Sequence, residues 1–153
     1  MNSDYYYMQL ALKEAQVAYS INEVPVGVVV VDSKNLILCK THNVREKKTS
    51  IFGHAEIDAI NFISKKNNSW RLSDCTFYVT LEPCIMCMIS LIQARIKGLV
   101  FGAYDPKGGA ISLGYNFCKD QRLNHSFSVI GGLLEEESAN LLKDFFKSRR
   151  KKN

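Results

Sequence analysis

The sequence predicts an α/β protein, a three-layer α/β/α sandwich built on one sheet. Three observations lead there. Helical and strand-like segments follow one another in an order close to α-β-β-α-β-α-β-β-α. Residues 24–31 form a nearly continuous valine-rich run, which suits a strand covered on both faces. The chain has 153 residues, enough for one domain that buries its own core, so residues 1–153 are expected to form a single domain.

Each element has its own signal. Over residues 4–20, Tyr6, Leu10, Lys13 and Val17 recur at helical spacing, and Tyr7, Ala11, Ala15 and Ala18 flank them. The stretches 24–31 and 36–39 are joined by Asp32-Ser33-Lys34, which predicts a hairpin. Residues 41–53 are polar and irregular and read as a loop. A helix is expected over 54–64, with Ile57, Ile60, Phe62 and Ile63 as its packed side. Thr76-Phe77-Tyr78-Val79-Thr80 has the β-branched and aromatic content of a strand. Pro83 then admits a helix over 84–94. Residues 99–101 predict a short strand. The stretch 102–124 holds four of the nine glycines and reads mainly as loop, with room for one short helix. A strand at 127–130 and a helix over 134–149 complete the chain.

Composition excludes several classes. At 46% hydrophobic, 23% charged and 10% aromatic residues, the chain is neither disordered nor collagen-like. Its longest apolar run has 8 residues and contains Pro25, far short of the roughly 20 that a membrane span needs. Met1-Asn2-Ser3-Asp4-Tyr5 shows no basic region ahead of an apolar stretch, so no secretory leader is expected. Five cysteines without an export signal point to the cytoplasm rather than to a disulfide framework. Cys39, Cys75 and Cys118 stand singly among apolar neighbours and read as small buried hydrophobes. The net charge of +5 lies entirely within residues 143–152, where Lys143, Lys147, Arg149, Arg150, Lys151 and Lys152 face one acid, Asp144. This basic end suits either a solvated helix terminus or an arm for a polyanion.

Two motifs carry chemistry. His54-Ala55-Glu56 opens one predicted helix, and Pro83-Cys84-Ile85-Met86-Cys87 opens another directly after a strand. Positions 84 and 87 are i and i+3, so both sulfurs share a helix face. The dipole and free N–H groups at a helix start favour thiolates, and two thiolates suit zinc. A redox pair or half of a structural zinc site would use the same C-x-x-C. No second C-x-x-C and no H-x-x-x-H exists in the chain. With His54 the ligand count is three, which leaves the open coordination position of a catalytic site. Glu56, two residues on, can sit beside the metal as a proton acceptor rather than a ligand.

The combination H-x-E with P-C-x-x-C is the signature of zinc deaminases. The chain further resembles the bacterial tRNA-specific adenosine deaminase family. Glu23-Val24-Pro25-Val26-Gly27, Tyr78-Val79-Thr80-Leu81-Glu82-Pro83-Cys84, Arg95-Ile96, Val100-Phe101-Gly102-Ala103, Asn124-His125 and Asp144-Phe145-Phe146 with Arg149-Arg150 carry that likeness over nearly the whole chain. The resemblance implies a cytidine-deaminase-like sandwich with a five-stranded mixed sheet. It implies one Zn²⁺ per chain on His54, Cys84 and Cys87, with Glu56 as the proton-transfer group. It implies that adenosine becomes inosine at the wobble position of a tRNA anticodon stem-loop. By position, Asn43 would hydrogen-bond the purine, Val26 would line the base pocket, the Ala55 backbone would touch the base, and Asp105 would lie on a substrate-contacting loop. Arg149 and Arg150 would meet RNA phosphates. Read without the resemblance, Asn43 and Asp105 are ordinary turn residues.

The chain departs from the family pattern at the rim. His42 stands where Trp is usual, Ser50-Ile51-Phe52-Gly53 replaces Asp-Pro-Thr-Ala, Tyr104 replaces a common Arg, and the 107–113 loop is one residue short. Two other functions use the same residues: a small-molecule nucleobase or nucleoside deaminase, and a non-catalytic zinc-stabilised RNA-binding module. The nearly all-apolar segment 85–92 predicts a homodimer contact. Neither a membrane nor DNA is expected as a partner.

Overall fold

The valine run lies inside a five-stranded sheet. Every residue of β1 (Gly27–Val31) is buried, as a strand between two helical layers must be. The computed structural model describes residues 3–152. Met1, Asn2 and Asn153, the ends of the expected single domain and of the leader-free start, lie outside the described residues, as does the side chain of Lys152.

The strand order is β2-β1-β3-β4-β5. β2 (Ile37–His42) and β3 (Thr76–Leu81) flank β1 antiparallel. β4 (Gly98–Ala103) runs parallel to β3, and β5 (Ser128–Ile130) parallel to β4. The sheet is therefore mixed, as expected. In the β1–β2 turn, Asp32 Oδ1 accepts the N–H groups of Lys34 and Leu36 at 2.9 and 3.0 Å.

Alternate side chains feed two cores. Val29, Val31, Tyr78 and Val100 pack with Tyr7, Met8 and Ala11 of α1 (Ser3–Ser20), and α5 (Glu135–Lys152) covers β4 on that side. Val28, Val30, Phe77, Val79, Leu99 and Phe101 pack with Ala55, Ala59 and Ile63 of α3 (Ala55–Asn67) and with Met88, Leu91 and Ile92 of α4 (Ile85–Gln93). The two helical layers around one sheet are the sandwich that the element order predicts.

Several local expectations need correction. The stripe expected on α1 is centred wrongly. Tyr7, Met8, Ala11, Ala15 and Ala18 are buried, while Tyr6 and Val17 are 47% and 43% exposed. The reason is close approach. A Cβ added at Gly27 would lie 2.0 Å from the Ala11 carbonyl oxygen, so only small residues fit between α1 and β1. Phe62 is likewise exposed, and α3 packs through Ala55, Glu56, Ala59 and Ile63. The expected loop at 41–53 is partly ordered: β2 continues to His42, and a short helix α2 (Arg45–Lys48) follows. Buried Glu23 caps α2, its two carboxylate oxygens accepting the N–H groups of Glu46 and Lys47 at 3.0 and 2.8 Å. β4 spans six residues rather than three. The long loop carries one 3-10 turn, Phe117–Lys119.

Candidate active site

Two helix starts meet beyond the C-terminal edge of the parallel strands, the usual place for a site in an α/β sheet. His54 is the N-cap of α3, with extended backbone (φ −82°, ψ 143°). Cys84 is the N-cap of α4 (φ −71°, ψ 173°). Neither side chain caps its own helix. Instead both turn toward each other. His54 Nδ1 lies 3.4 Å from Cys87 Sγ and 3.9 Å from Cys84 Sγ. The three donor atoms all lie within 4.8 Å of one another. Ligands bound at about 2.0–2.3 Å from one zinc ion are on the order of 3.5 Å apart. The spacing and the Cys₂His donor set therefore fit a zinc ion.

The two thiols are not equivalent. The Cys84 thiol is pulled down to about 4, chiefly by the hydrogen bond from Cys87, against the opposing effect of burial, and with help from His54. Cys87 is pushed up, because its proton is shared with Cys84 and its surroundings are dry. His54 is raised by its hydrogen bond to Cys84. Glu56 is 4% exposed, and burial pushes its carboxyl upward. Thr41 Oγ1 donates to the Ala55 carbonyl at 2.7 Å, fixing the start of α3 to β2.

A cavity of about 780 Å³ opens over this cluster. Among the residues singled out in the sequence, Val26, Asn43, His54, Ala55, Glu56, Cys84, Asp105 and Arg150 line it. Cys87 is fully buried. Arg149 is not brought to the cavity. Its Nη1 donates to the Asn22 carbonyl at 3.3 Å and its guanidinium lies over Phe145. Asn43 and Asp105 each accept turn-type hydrogen bonds from the residues that follow, and Asn43 also makes one long-range bond. Asn43 donates to Val24 O and accepts the Arg45 N–H. Asp105 Oδ1 accepts the N–H groups of Lys107 and Gly108.

Two contributors have no role assigned by the sequence: Glu82, and the α5 face that flanks Arg150. Glu82, 2% exposed, holds the loop that follows β4. Its Oε1 accepts the Asp105 N–H at 3.0 Å and the Ser112 hydroxyl at 2.5 Å, and its Oε2 accepts the Ser112 N–H at 2.8 Å. A Cβ at Gly109 would lie 2.2 Å from that carboxylate, so the loop needs glycine there. The signal was an acid placed directly before Pro83, at the end of an apolar strand. The second contributor is one face of α5. Ala139, Leu142, Lys143, Phe146 and Arg150 line the cavity at helical spacing.

The sandwich, the Cys₂His cluster and the buried glutamate beside it define a deaminase domain of the cytidine-deaminase-like fold. A family model for MafB19-like deaminases matches residues 1–150. Among curated proteins, the tRNA-specific adenosine deaminase of Bacillus subtilis is 42% identical, over 99% of this chain and 94% of its own. That of Rickettsia bellii is 43% identical, over 94% and 99%. A structure from work on A-to-I editing by tRNA:A34 deaminases superposes with a TM-score of 0.85 at 39% identity, over 90% of this chain and 99% of that one. A guanine deaminase from Nitrosomonas europaea, 20% identical with a TM-score of 0.77 over 92% of this chain and 83% of its own, shares the fold alone. The chain belongs to the tRNA-specific adenosine deaminase family. No helix among the described residues is long and apolar enough to cross a membrane.

Proposed function

We propose that this chain converts adenosine to inosine at the wobble position of a tRNA anticodon, with His54, Cys84 and Cys87 holding one Zn²⁺. The observation that carries this reading is the Cys₂His cluster beside buried Glu56, in a chain related over its full length to tRNA-specific adenosine deaminases. Bound zinc supplies a Lewis acid that makes water a nucleophile near neutral pH.

The chain's own groups do the rest. Glu56 takes a proton from the attacking water and passes it to the purine ring nitrogen as the oxygen bonds to C6. It then carries the second proton to the amino group, which leaves as ammonia. Burial suits this task, since a dry carboxyl holds a proton more readily than an exposed one. Val26 and Ala55 line the cavity, and the Ala55 N–H, in the first turn of α3, would face the base. Asn43 and Asp105 lie on the cavity wall, and on this reading they contact the nucleoside. Arg150 lines the cavity mouth and suits a phosphate, while Arg149 would meet RNA outside the cavity. An anticodon loop can splay a base into such a pocket without breaking a duplex. A tRNA substrate places the reaction in the cytoplasm.

We further propose a homodimer through the outer face of α4. Ile85 is 37% exposed there, and Met86 and Ile89 are half-buried.

The test offers the zinc-loaded protein an adenosine-containing anticodon stem-loop, free adenosine, cytidine and guanine. Inosine in the stem-loop is the expected product. Turnover of a free base or nucleoside with none of the RNA would establish the small-molecule alternative. Binding of the RNA with no turnover of any substrate would establish the non-catalytic one.

A further inference from the structure

The cavity rim carries an aromatic ring that the deamination step does not use. Tyr104 follows β4 directly, lines the cavity and is 45% exposed. It is held from several sides. Phe101 meets its ring edge-to-face, with centroids 4.9 Å apart and planes at 84°. Its hydroxyl lies close over Gly131, where an added Cβ would come within 2.7 Å of it. Its Cε2 borders Gly132, a glycine with φ of +91°. The next residue is tethered as well, through the Asp105 N–H on Glu82. A ring fixed in this way loses little freedom when a flat ligand packs on it.

The surroundings point to the class of ligand. Arg45, Lys107, Lys143 and Arg150 line the same cavity. The acids on its wall are Glu56 and Glu82, both buried, and Asp105. A positively charged groove with a fixed aromatic face is how proteins hold unpaired nucleotides, phosphates on the cations and a base on the ring. We propose that Tyr104 is the stacking platform for the unpaired base next to the reacting adenosine. The inference rests on the reading of RNA as substrate given above.

Direct binding titration of the zinc-loaded chain tests it. Three anticodon stem-loops are compared: one intact, one abasic on the 5′ side of the target adenosine, and one abasic on its 3′ side. Tyr104→Ala should weaken binding of the intact RNA about tenfold or more, the scale of one lost base–aromatic stack. One of the two abasic RNAs should bind the native protein more weakly by a similar factor, and Tyr104→Ala should add nothing on that RNA. Tyr104→Phe should keep native affinity, and Tyr104→Leu should lose it. Both retain packing against Phe101, so their difference reports the aromatic face rather than folding. An equal Tyr104→Ala penalty on all three RNAs, or none on the intact one, overturns the stacking assignment. Deamination is read separately. A native protein that converts no adenosine in the intact RNA would overturn the substrate reading, whereas the binding cycle decides the part played by Tyr104.

Discussion

On the proposed reading, separate side chains hold the metal and move the proton. Cys84→Ala should lose most of the bound zinc, measured by elemental analysis, because one of three donors has gone. Glu56→Ala should keep zinc and fold yet slow single-turnover deamination by about 10²–10⁴-fold, the usual contribution of an acid–base group. The remaining thiols behave differently. Burial pushes Cys39 and Cys75 up from 9.0 to about 12. Between those values the unfolded chain gives up thiol protons that the folded chain keeps, so ionisation favours unfolding. The stability these thiols contribute is complete below pH 9 and is lost as pH rises toward 12. The melting temperature should therefore fall over that range, and the fall should be shallower in Cys39→Ala/Cys75→Ala, whatever the variant's starting stability. Of the three cysteines expected to be buried, only Cys75 is; Cys39, on the edge strand β2, and Cys118, in the 3-10 turn, are half-buried. Glu82 was not legible in the sequence, because its partners at Asp105 and Ser112 lie 23 and 30 residues further along the chain.

Between elements, closeness of approach decides what fits. α1 rests on β1 through Ala11, Ala15 and Gly27 with no room for one more carbon. Gly27→Ala should therefore destabilise the fold by about 1–3 kcal/mol, the range for overpacking a tight core, measured by urea denaturation. An unchanged midpoint would mean that α1 can lift off the sheet at little cost. Periodicity identified α1 as a helix but chose the wrong stripe, because it weights Tyr6 and Val17 by size and gives alanine little. Size is what keeps large side chains out of this contact. The order within 41–53 is hidden from local pattern for a related reason. α2 is held by a carboxylate from residue 23, and no local pattern in 45–48 predicts that partner.

At the scale of the whole molecule, the basic end can be divided. Arg150 lines the cavity, while Arg149 bonds the Asn22 carbonyl. Arg150→Ala should weaken stem-loop binding more than Arg149→Ala. It should also flatten the log–log salt dependence by about 0.7 for one lost phosphate contact on single-stranded RNA. Equal effects would mean that the arginines act only through bulk charge. Assembly is tested by light scattering, where the expected mass at micromolar protein is that of two chains.

Two kinds of information meet in this protein. The fold class, the two helix starts and the chemical types at positions 54, 56, 84 and 87 could be read directly from residues. Strand composition, helical spacing and capping act over a few neighbours, so they survive in a linear string. The convergence of His54 on Cys84 and Cys87 was inferred from ligand counting, and its 3.4 and 3.9 Å separations arise only when α3 and α4 dock on one sheet face. The same holds for the carboxylate of Glu82 inside its loop and for the stripe of α1 that is buried. Arg149 and Arg150 make the point most simply. Successive helical residues are about 100° apart, so adjacent arginines of one charge cluster face different surroundings. Which of them borders the cavity depends on how α5 is rotated against β4, and that rotation is set by contacts distant in sequence.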